Sequence, residues 1–157
     1  DFLLKTYATQ FGFPLLTVRA TNVYGARQQL FKIIPRSAIY TKLGTPIELH
    51  GGGRAVKSYI HIRDVSRGEK LILERGRVGQ IYNLSPDAGV EVREVVRLMC
   101  ERLGKRFEDA TRAVEERPGQ DAAYVIDSAK ARTELGWAPT VPLAEGLGEV
   151  VAWVNEY

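Results

Sequence analysis

Apolar residues recur every three or four positions along several stretches of the chain, which is the spacing of a helix with one buried face. The clearest stretch is 92–103, and Gly104 follows it as a helix stop. Residues 33–43 repeat the pattern, with Pro35 in the first turn and Gly44 after the end. In chain order, spacing and stop signals predict helices over residues 1–11, 33–43, 65 to about 76, 92–103, 127–135 and about 142 to 154.

Two aspartates stand where helices need an N-cap. Asp64 precedes the helix that is predicted from Val65, and Asp127 precedes the one that ends at Leu135. A carboxylate at this position accepts hydrogen bonds from the free amides of the first turn. We therefore expect both aspartates to be local caps.

Runs of β-branched and other apolar residues predict strands between these helices. The run LLTVRAT after Pro14 is apolar at nearly every position, which is typical of a strand covered on both faces of a parallel sheet. Shorter strands are predicted in PIELHGGG, KSYIHI and GQIYNLS. Because helices and strands alternate in the first half, with no internal repeat or linker, the pattern predicts an α/β fold.

Composition excludes several classes of function. Lys and Arg outnumber Asp and Glu by 22 to 19, an excess too small and too scattered for nucleic-acid binding but suited to a small anionic ligand. No stretch approaches the roughly 18 apolar residues of a bilayer span. The single cysteine, Cys100, lies among apolar residues and is expected to be a buried thiol. These features favour a cytoplasmic protein with no nucleic-acid or membrane partner.

Local motifs leave the chemistry open. Glycines 51–53 lack the spacing of a dinucleotide loop and precede a predicted strand, which favours a tight turn. His50 and His61 have no partner at metal-ligand spacing, so no metal site is predicted. Arg117 precedes a Pro-Gly turn and can aim its guanidinium at a phosphate, although composition alone favours a solvated loop arginine.

Six motifs in a fixed order carry a resemblance to a known family. They are VRATNVYGARQQLFKIIPR, GTPIELHGGG, KSYIHIRDVSRG, GQIYNLS, EERPGQDAAYVIDSAKARTELGWAP and LAEGLGEVVAWV. Together they resemble the C-terminal half of the extended short-chain dehydrogenases that modify nucleotide sugars with NAD, above all the dTDP-glucose 4,6-dehydratases. The resemblance implies the last strands and helices of a Rossmann-like parallel sheet, from segments near 1–31 and 55–84. It also implies a small mixed α/β substrate-binding domain, from segments near 32–54 and 85–157.

The resemblance further implies which residues bind ligands. Thr21 is expected at the nicotinamide end of NAD. The nucleoside-diphosphate sugar is expected to contact Asn22, Lys32, Ile33, Glu48, His50, Lys57, Asn83, Arg117 and Gln120. Three of these residues depart from the family pattern, because Lys57 replaces an arginine, Gln120 a histidine and His50 a tyrosine. These departures leave the base and the sugar open.

The residues that carry out the family's chemistry are missing from this sequence. The family uses a tyrosine and a lysine four positions later as its acid/base pair. Neither that pattern nor the glycine-rich dinucleotide loop occurs here. The resemblance therefore implies that no catalytic residue lies in this chain, that it is the C-terminal part of a larger homodimeric enzyme, and that it is inactive alone. A nucleotide-sugar epimerase or decarboxylase and a stand-alone binding module stay open as alternatives.

Overall fold

The computed structural model describes residues 1–156. Its helices are Phe2–Phe11 (α1), Ile33–Leu43 (α2), Ile62–Arg75 (α3), Val92–Arg102 (α4), Phe107–Ala110 (α5), Ala129–Leu135 (α6) and Leu143–Asn155 (α7). Its strands are Thr17–Ala20 (β1), Asn22–Tyr24 (β2), Ile47–His50 (β3), Val56–Lys57 (β4), Tyr59–His61 (β5), Ile81–Leu84 (β6), Val90–Glu91 (β7), Thr111–Val114 (β8) and Ala123–Tyr124 (β9). None of these helices has both the length and the apolar composition needed to cross a bilayer.

Four pairs of parallel strands form the framework. β1 pairs with β6, β2 with β5, β3 with β8 and β4 with β9, and β4 also pairs with β7 in the antiparallel sense. The chain changes partners between β1 and β2, because the amide of Thr21 donates to the carbonyl of Leu84 at 3.2 Å while the amide of Asn22 donates to that of Ser58 at 3.1 Å. Thr21 and Asn22 therefore stand where the two strand pairs diverge, the kind of position at which open α/β sheets bind ligands.

Three apolar clusters hold the elements together. The first packs Tyr24 of β2 against α2, α4 and α7. The second includes Trp137 and Tyr82 and joins β6 to α3 and α6. The third joins Ile47 of β3 to α4 and contains Cys100, which is fully buried as predicted. The third cluster fixes β3, which carries part of the site described below.

The predicted cap at Asp64 is wrong. α3 begins before this residue, and the N-cap is His61, whose Nδ1 accepts from an amide of the first turn at 3.3 Å. Asp64 lies inside that turn and is only 2% exposed. Its carboxylate accepts from the amides of Thr140 and Val141, both at 3.0 Å. The carboxylate is thus taken by partners 76 and 77 positions away, which a local capping rule does not consider.

Smaller differences concern turns and short elements. α6 begins at Ala129, whose amide donates to the Asp127 carboxylate at 2.7 Å, although Asp127 is not the N-cap residue. The turn at 51–53 is confirmed, since all three glycines have positive φ, between 56° and 70°. The apolar pattern did not predict α5 and β8 over residues 107–114. β8 is important because it completes the sheet edge at β3.

The first predicted helix is present as α1, and Gly12 ends it with a φ of 62°. None of the α1 residues is buried. Phe2 and Phe11 are 81% and 73% exposed. The apolar side chains of this helix therefore face solvent rather than one of the three clusters.

Candidate functional site

A cavity of about 460 Å³ opens where α2 begins, β3 ends and the loop before β9 approaches β4. We call it the first cavity. Seven of the ten predicted ligand-binding residues line it, namely Asn22, Ile33, Glu48, His50, Lys57, Arg117 and Gln120. The other residues of its wall are Arg36, Leu49, Gly53, Tyr59, Val92, Pro118, Gly119 and Asp121.

A second cavity of about 480 Å³ adjoins the first, because Asn22, Ile33 and Tyr59 line both. Its wall contains the other predicted residues of this region, Thr21 and Lys32. Thr21 is only 4% exposed, and its hydroxyl lies 3.5 Å from that of Ser85. The divergence of β1 and β2 thus places Thr21 and Asn22 beside both cavities.

Asn83 is not brought to either cavity wall. It lies on β6 opposite Arg19, and its side-chain amide donates to the carbonyl of Asp127 at 2.9 Å. Its Oδ1 is buried without a hydrogen-bond partner among the described residues. The amide group links β6 to the segment before α6, and its role in substrate binding stays a prediction.

The N-terminus of α2 opens on both cavities. Lys32 is the N-cap residue, and Ile33 follows it in both walls. The first amides of a helix have no partner inside the helix, and its dipole places partial positive charge at that end. The first turn of α2 contains no acidic side chain that would occupy those amides. This end of α2 is therefore suited to a phosphate or another anion.

Arg117 lies on a turn of the loop before β9, which forms part of the wall of the first cavity. The amide of Gln120 donates to the carbonyl of Arg117 at 3.2 Å, and Gly119 takes a φ of 74°. Within residues 1–156 the Arg117 guanidinium has neither an ion pair nor a side-chain hydrogen bond. A planar fork of five donors is thus left free for a ligand.

Glu48 and His50 on β3 have partners on or beside β8. Glu48 forms an ion pair with Arg112, which lies opposite it in the strand register, and the hydrogen bond from Arg112 is the main cause of the lowered pKa of Glu48. His50 Nδ1 lies 3.0 Å from the carbonyl of Glu115. Since a carbonyl only accepts, Nδ1 donates there, and in the neutral ring Nε2 is left as an acceptor. Among residues 1–156, no group of three His, Cys, Asp or Glu side chains could hold a metal ion.

Eight residues of the first cavity were not among the predicted site residues, and two of them, Tyr59 and Arg36, bring a hydroxyl and a guanidinium to its wall. Tyr59 lies opposite Asn22 in the β2–β5 register and lines both cavities, and burial raises its pKa to about 12. Arg36 follows Ile33 by three positions, so that both side chains reach the same cavity from one face of α2. The bounds of α2 were predicted correctly. The spacing of Arg36 three positions after Ile33 could therefore have indicated that Arg36 lines the same cavity.

Arg36 supplies a second uncommitted guanidinium. It is half-buried, and within residues 1–156 it makes no ion pair or side-chain hydrogen bond. If the cavity binds a nucleoside diphosphate, replacing Arg36 with methionine, which keeps an unbranched side chain but removes the guanidinium, is expected to weaken binding of dTDP by about three- to tenfold, because one hydrogen bond to the ligand is lost. Isothermal titration of the variant and the parent measures this, and equal affinities would show that Arg36 does not reach the ligand.

Comparison with known proteins places this geometry in a family. The family model described as GDP-mannose 4,6 dehydratase matches residues 1–150. The dTDP-glucose 4,6-dehydratase of Streptomyces griseus is 35% identical over 157 residues, which are 100% of this chain and 48% of that protein. A trifunctional UDP-glucose 4,6-dehydratase of Arabidopsis thaliana is 32% identical over 99% of this chain and 23% of its own length.

Solved structures of similar enzymes have the same fold as this chain. The dTDP-glucose 4,6-dehydratase of Streptomyces venezuelae, solved with NAD and TDP bound, superposes with a TM-score of 0.94 at 32% identity, covering 99% of this chain and 48% of that one. UDP-glucose 4-epimerase of Thermotoga maritima, solved with UDP-glucose, gives a TM-score of 0.91 at 26% identity over 99% of this chain and 50% of that one. The chain thus spans half or less of the length of these proteins. The predicted α/β class and the predicted resemblance are confirmed, the division into two parts stays a prediction, and the chain belongs to the GDP-mannose 4,6 dehydratase family.

Proposed function

We propose that this chain supplies the nucleoside-diphosphate-sugar pocket of an NAD-dependent nucleotide-sugar 4,6-dehydratase. The observation that carries the proposal is one cavity shared by the free Arg117 guanidinium and the uncapped N-terminus of α2. A diphosphate carries two adjacent anionic groups. One is suited to the planar fork of an arginine and the other to the free amides of a helix end.

The rest of the first cavity fits the nucleoside. Ile33 and Val92, which are both half-buried, give apolar surface for a flat base. Glu48, whose pKa is lowered by Arg112, and His50, whose neutral ring has an acceptor at Nε2, lie on the same strand and can receive N–H or O–H groups of the base or ribose. This distribution supports a nucleoside along β3 and a diphosphate between α2 and Arg117.

The second cavity fits the sugar and the nicotinamide. Thr21, Asn22, Gln28 and Gln29 line it with neutral donors and acceptors, which suit hydroxyl groups and a carboxamide. NAD, when bound, supplies the acceptor for a hydride from the sugar. This chain's part is to bind and orient, because its sequence contains no Tyr-x-x-x-Lys pair to move a proton. The relatives solved with NAD support this assignment.

A nucleotide-sugar 4-epimerase is the second candidate. It is supported by the TM-score of 0.91 to the Thermotoga maritima enzyme over 99% of this chain. A pocket that holds the nucleotide serves both reactions, so the residues described here suit either one. Homodimer formation and a cytoplasmic location stay predictions.

Binding to the isolated chain tests the proposal. Because the diphosphate is expected to supply most of the contacts, dTDP, UDP or GDP should bind at least about tenfold more tightly than the matching nucleoside. Isothermal titration calorimetry with each pair measures the ratio, and the nucleoside is the matched control for the base. Equal affinity of a nucleoside and its diphosphate, for all three bases, would contradict the proposal.

A further inference from the structure

Two of the side chains predicted to contact substrate also hold the backbone on either side of Arg117. His50 Nδ1 donates to the carbonyl of Glu115 at 3.0 Å. Lys57 Nζ donates to the carbonyl of Asp121 at 2.9 Å. One carbonyl lies two positions before Arg117 and the other four positions after it. The two donors therefore bracket the segment 115–121, which we call the arginine loop.

Few other contacts order the arginine loop. Inside it, the amide of Gln120 donates to the carbonyl of Arg117 at 3.2 Å, and the amide of Arg117 donates to the neighbouring Glu116 carboxylate at 3.0 Å. The ladder between β4 and β9 begins only after the loop, where the amide of Val56 donates to the carbonyl of Ala122 at 2.8 Å. Beyond its two ends and the bracket, the loop also touches the 51–53 turn, where the Glu116 carboxylate lies against Gly51.

We infer that Lys57 and His50 are positioning residues, which hold the arginine loop so that Arg117 faces the first cavity. The inference rests on the proposed function, in which Arg117 binds the diphosphate. Both donors come from β3 and β4, which are fixed by strand pairing to β8, β7 and β9. A loop ordered before the ligand arrives loses less conformational entropy on binding, so the affinity of Arg117 for phosphate increases.

This role differs from direct contact between Lys57 and the phosphates. An ammonium has three donors, and one is committed to Asp121. If Lys57 acts through the loop, replacing it lowers the affinity for the diphosphate only while Arg117 is present. If Lys57 contacts the diphosphate itself, replacing it lowers the affinity equally whether or not Arg117 is present.

A double-mutant cycle separates the two roles. Lys57→Met should weaken dTDP binding by about three- to tenfold in the parent, the effect of one lost hydrogen bond, and by less than about twofold in the Arg117→Ala variant. Lys57→Arg should retain the parent affinity, because a guanidinium can donate to the same carbonyl. Lys105→Met, an exposed lysine outside both cavities, is the matched control. Equal losses in the two backgrounds would overturn the positioning role.

Hydrogen exchange tests the bracket without any nucleotide. The amide of Gln120, which closes the turn of the arginine loop, should exchange several-fold faster in Lys57→Met and in His50→Phe, and at the parent rate in Lys57→Arg. The amide of Ser58, in the β4–β9 ladder at 3.1 Å from the carbonyl of Tyr124, is the internal control. Unchanged exchange at Gln120 in both variants would overturn the inference. Failure of the parent to bind any diphosphate would instead contradict the proposed function, so the two failures are distinguishable.

Discussion

Replacing Asp64 with alanine is expected to lower the free energy of unfolding by about 3–5 kcal/mol, because it removes one partner of a buried hydrogen-bonded charge. The carboxylate accepts from the amides of Thr140 and Val141 at 3.0 Å, from the Thr140 hydroxyl at 2.9 Å and from Arg67 at 2.9 Å. The substitution leaves the two amides without acceptors at a site that is 2% exposed in the parent. Urea denaturation of parent and variant measures the change.

The same substitution should alter the pH dependence of stability. Burial alone would raise the pKa of Asp64, but the hydrogen bonds from Val141 and Thr140 and the charge of Arg67 together lower it below its ordinary value. A carboxyl whose pKa is lowered in the folded state stabilises the fold above the unfolded pKa, and this contribution is lost as the pH falls through the folded pKa. The difference in stability between parent and variant should therefore be full at neutral pH and shrink in acid.

The control for Asp64 is Asp109, an exposed carboxylate 3.8 Å from Arg106. Asp109→Ala should change the free energy of unfolding by less than about 0.5 kcal/mol, as is usual for an exposed ion pair. A loss below about 1 kcal/mol for Asp64→Ala, or a loss that does not shrink in acid, would show that the buried carboxylate does not hold α3 to the segment before α7.

Replacing Arg117 with alanine should weaken dTDP binding by at least about tenfold, because one or two charge-assisted hydrogen bonds are lost. Arg117→Lys should fall between the parent and the alanine variant, since an ammonium keeps the charge but cannot make two parallel bonds. Arg75→Ala, an exposed arginine on α3 outside both cavities, is the matched control. Isothermal titration gives the affinities, and an alanine variant that binds as tightly as the parent would place Arg117 outside the diphosphate site.

The sequence predicted those parts of the fold that depend on neighbouring residues. α2 has the predicted bounds because Pro35 favours the first turn of a helix and Gly44 ends it. Asp64 was assigned wrongly because its partners Thr140 and Val141 are distant in sequence. β8 was missed because its residues, TRAV, form neither an apolar run nor an alternating pattern, and its pairing with β3 is not visible in the local sequence.

The site shows the same limit. Motif order assigned seven residues that the fold brings to one cavity. Motif order does not reveal which atom each side chain contacts, so it gave no sign that Lys57 and His50 reach the carbonyls of Asp121 and Glu115. Their contact with substrate stays a prediction. Side-chain partners of this kind depend on how strands and loops approach each other, and the spacing of residues along the chain does not record that.

Mapping of amide chemical shifts during titration with dTDP tests the central claim most directly, because it locates the ligand without relying on a substitution. The proposed site predicts that the largest shifts occur at the first amides of α2, Ile33 and Ile34, and at Gly119 and Gln120 of the arginine loop, with smaller shifts along β3. The amides of α1, which is outside both cavities, should not move. Shifts confined to residues away from the two cavities, or no shift with dTDP in excess, would contradict the assignment of this cavity to a nucleoside diphosphate.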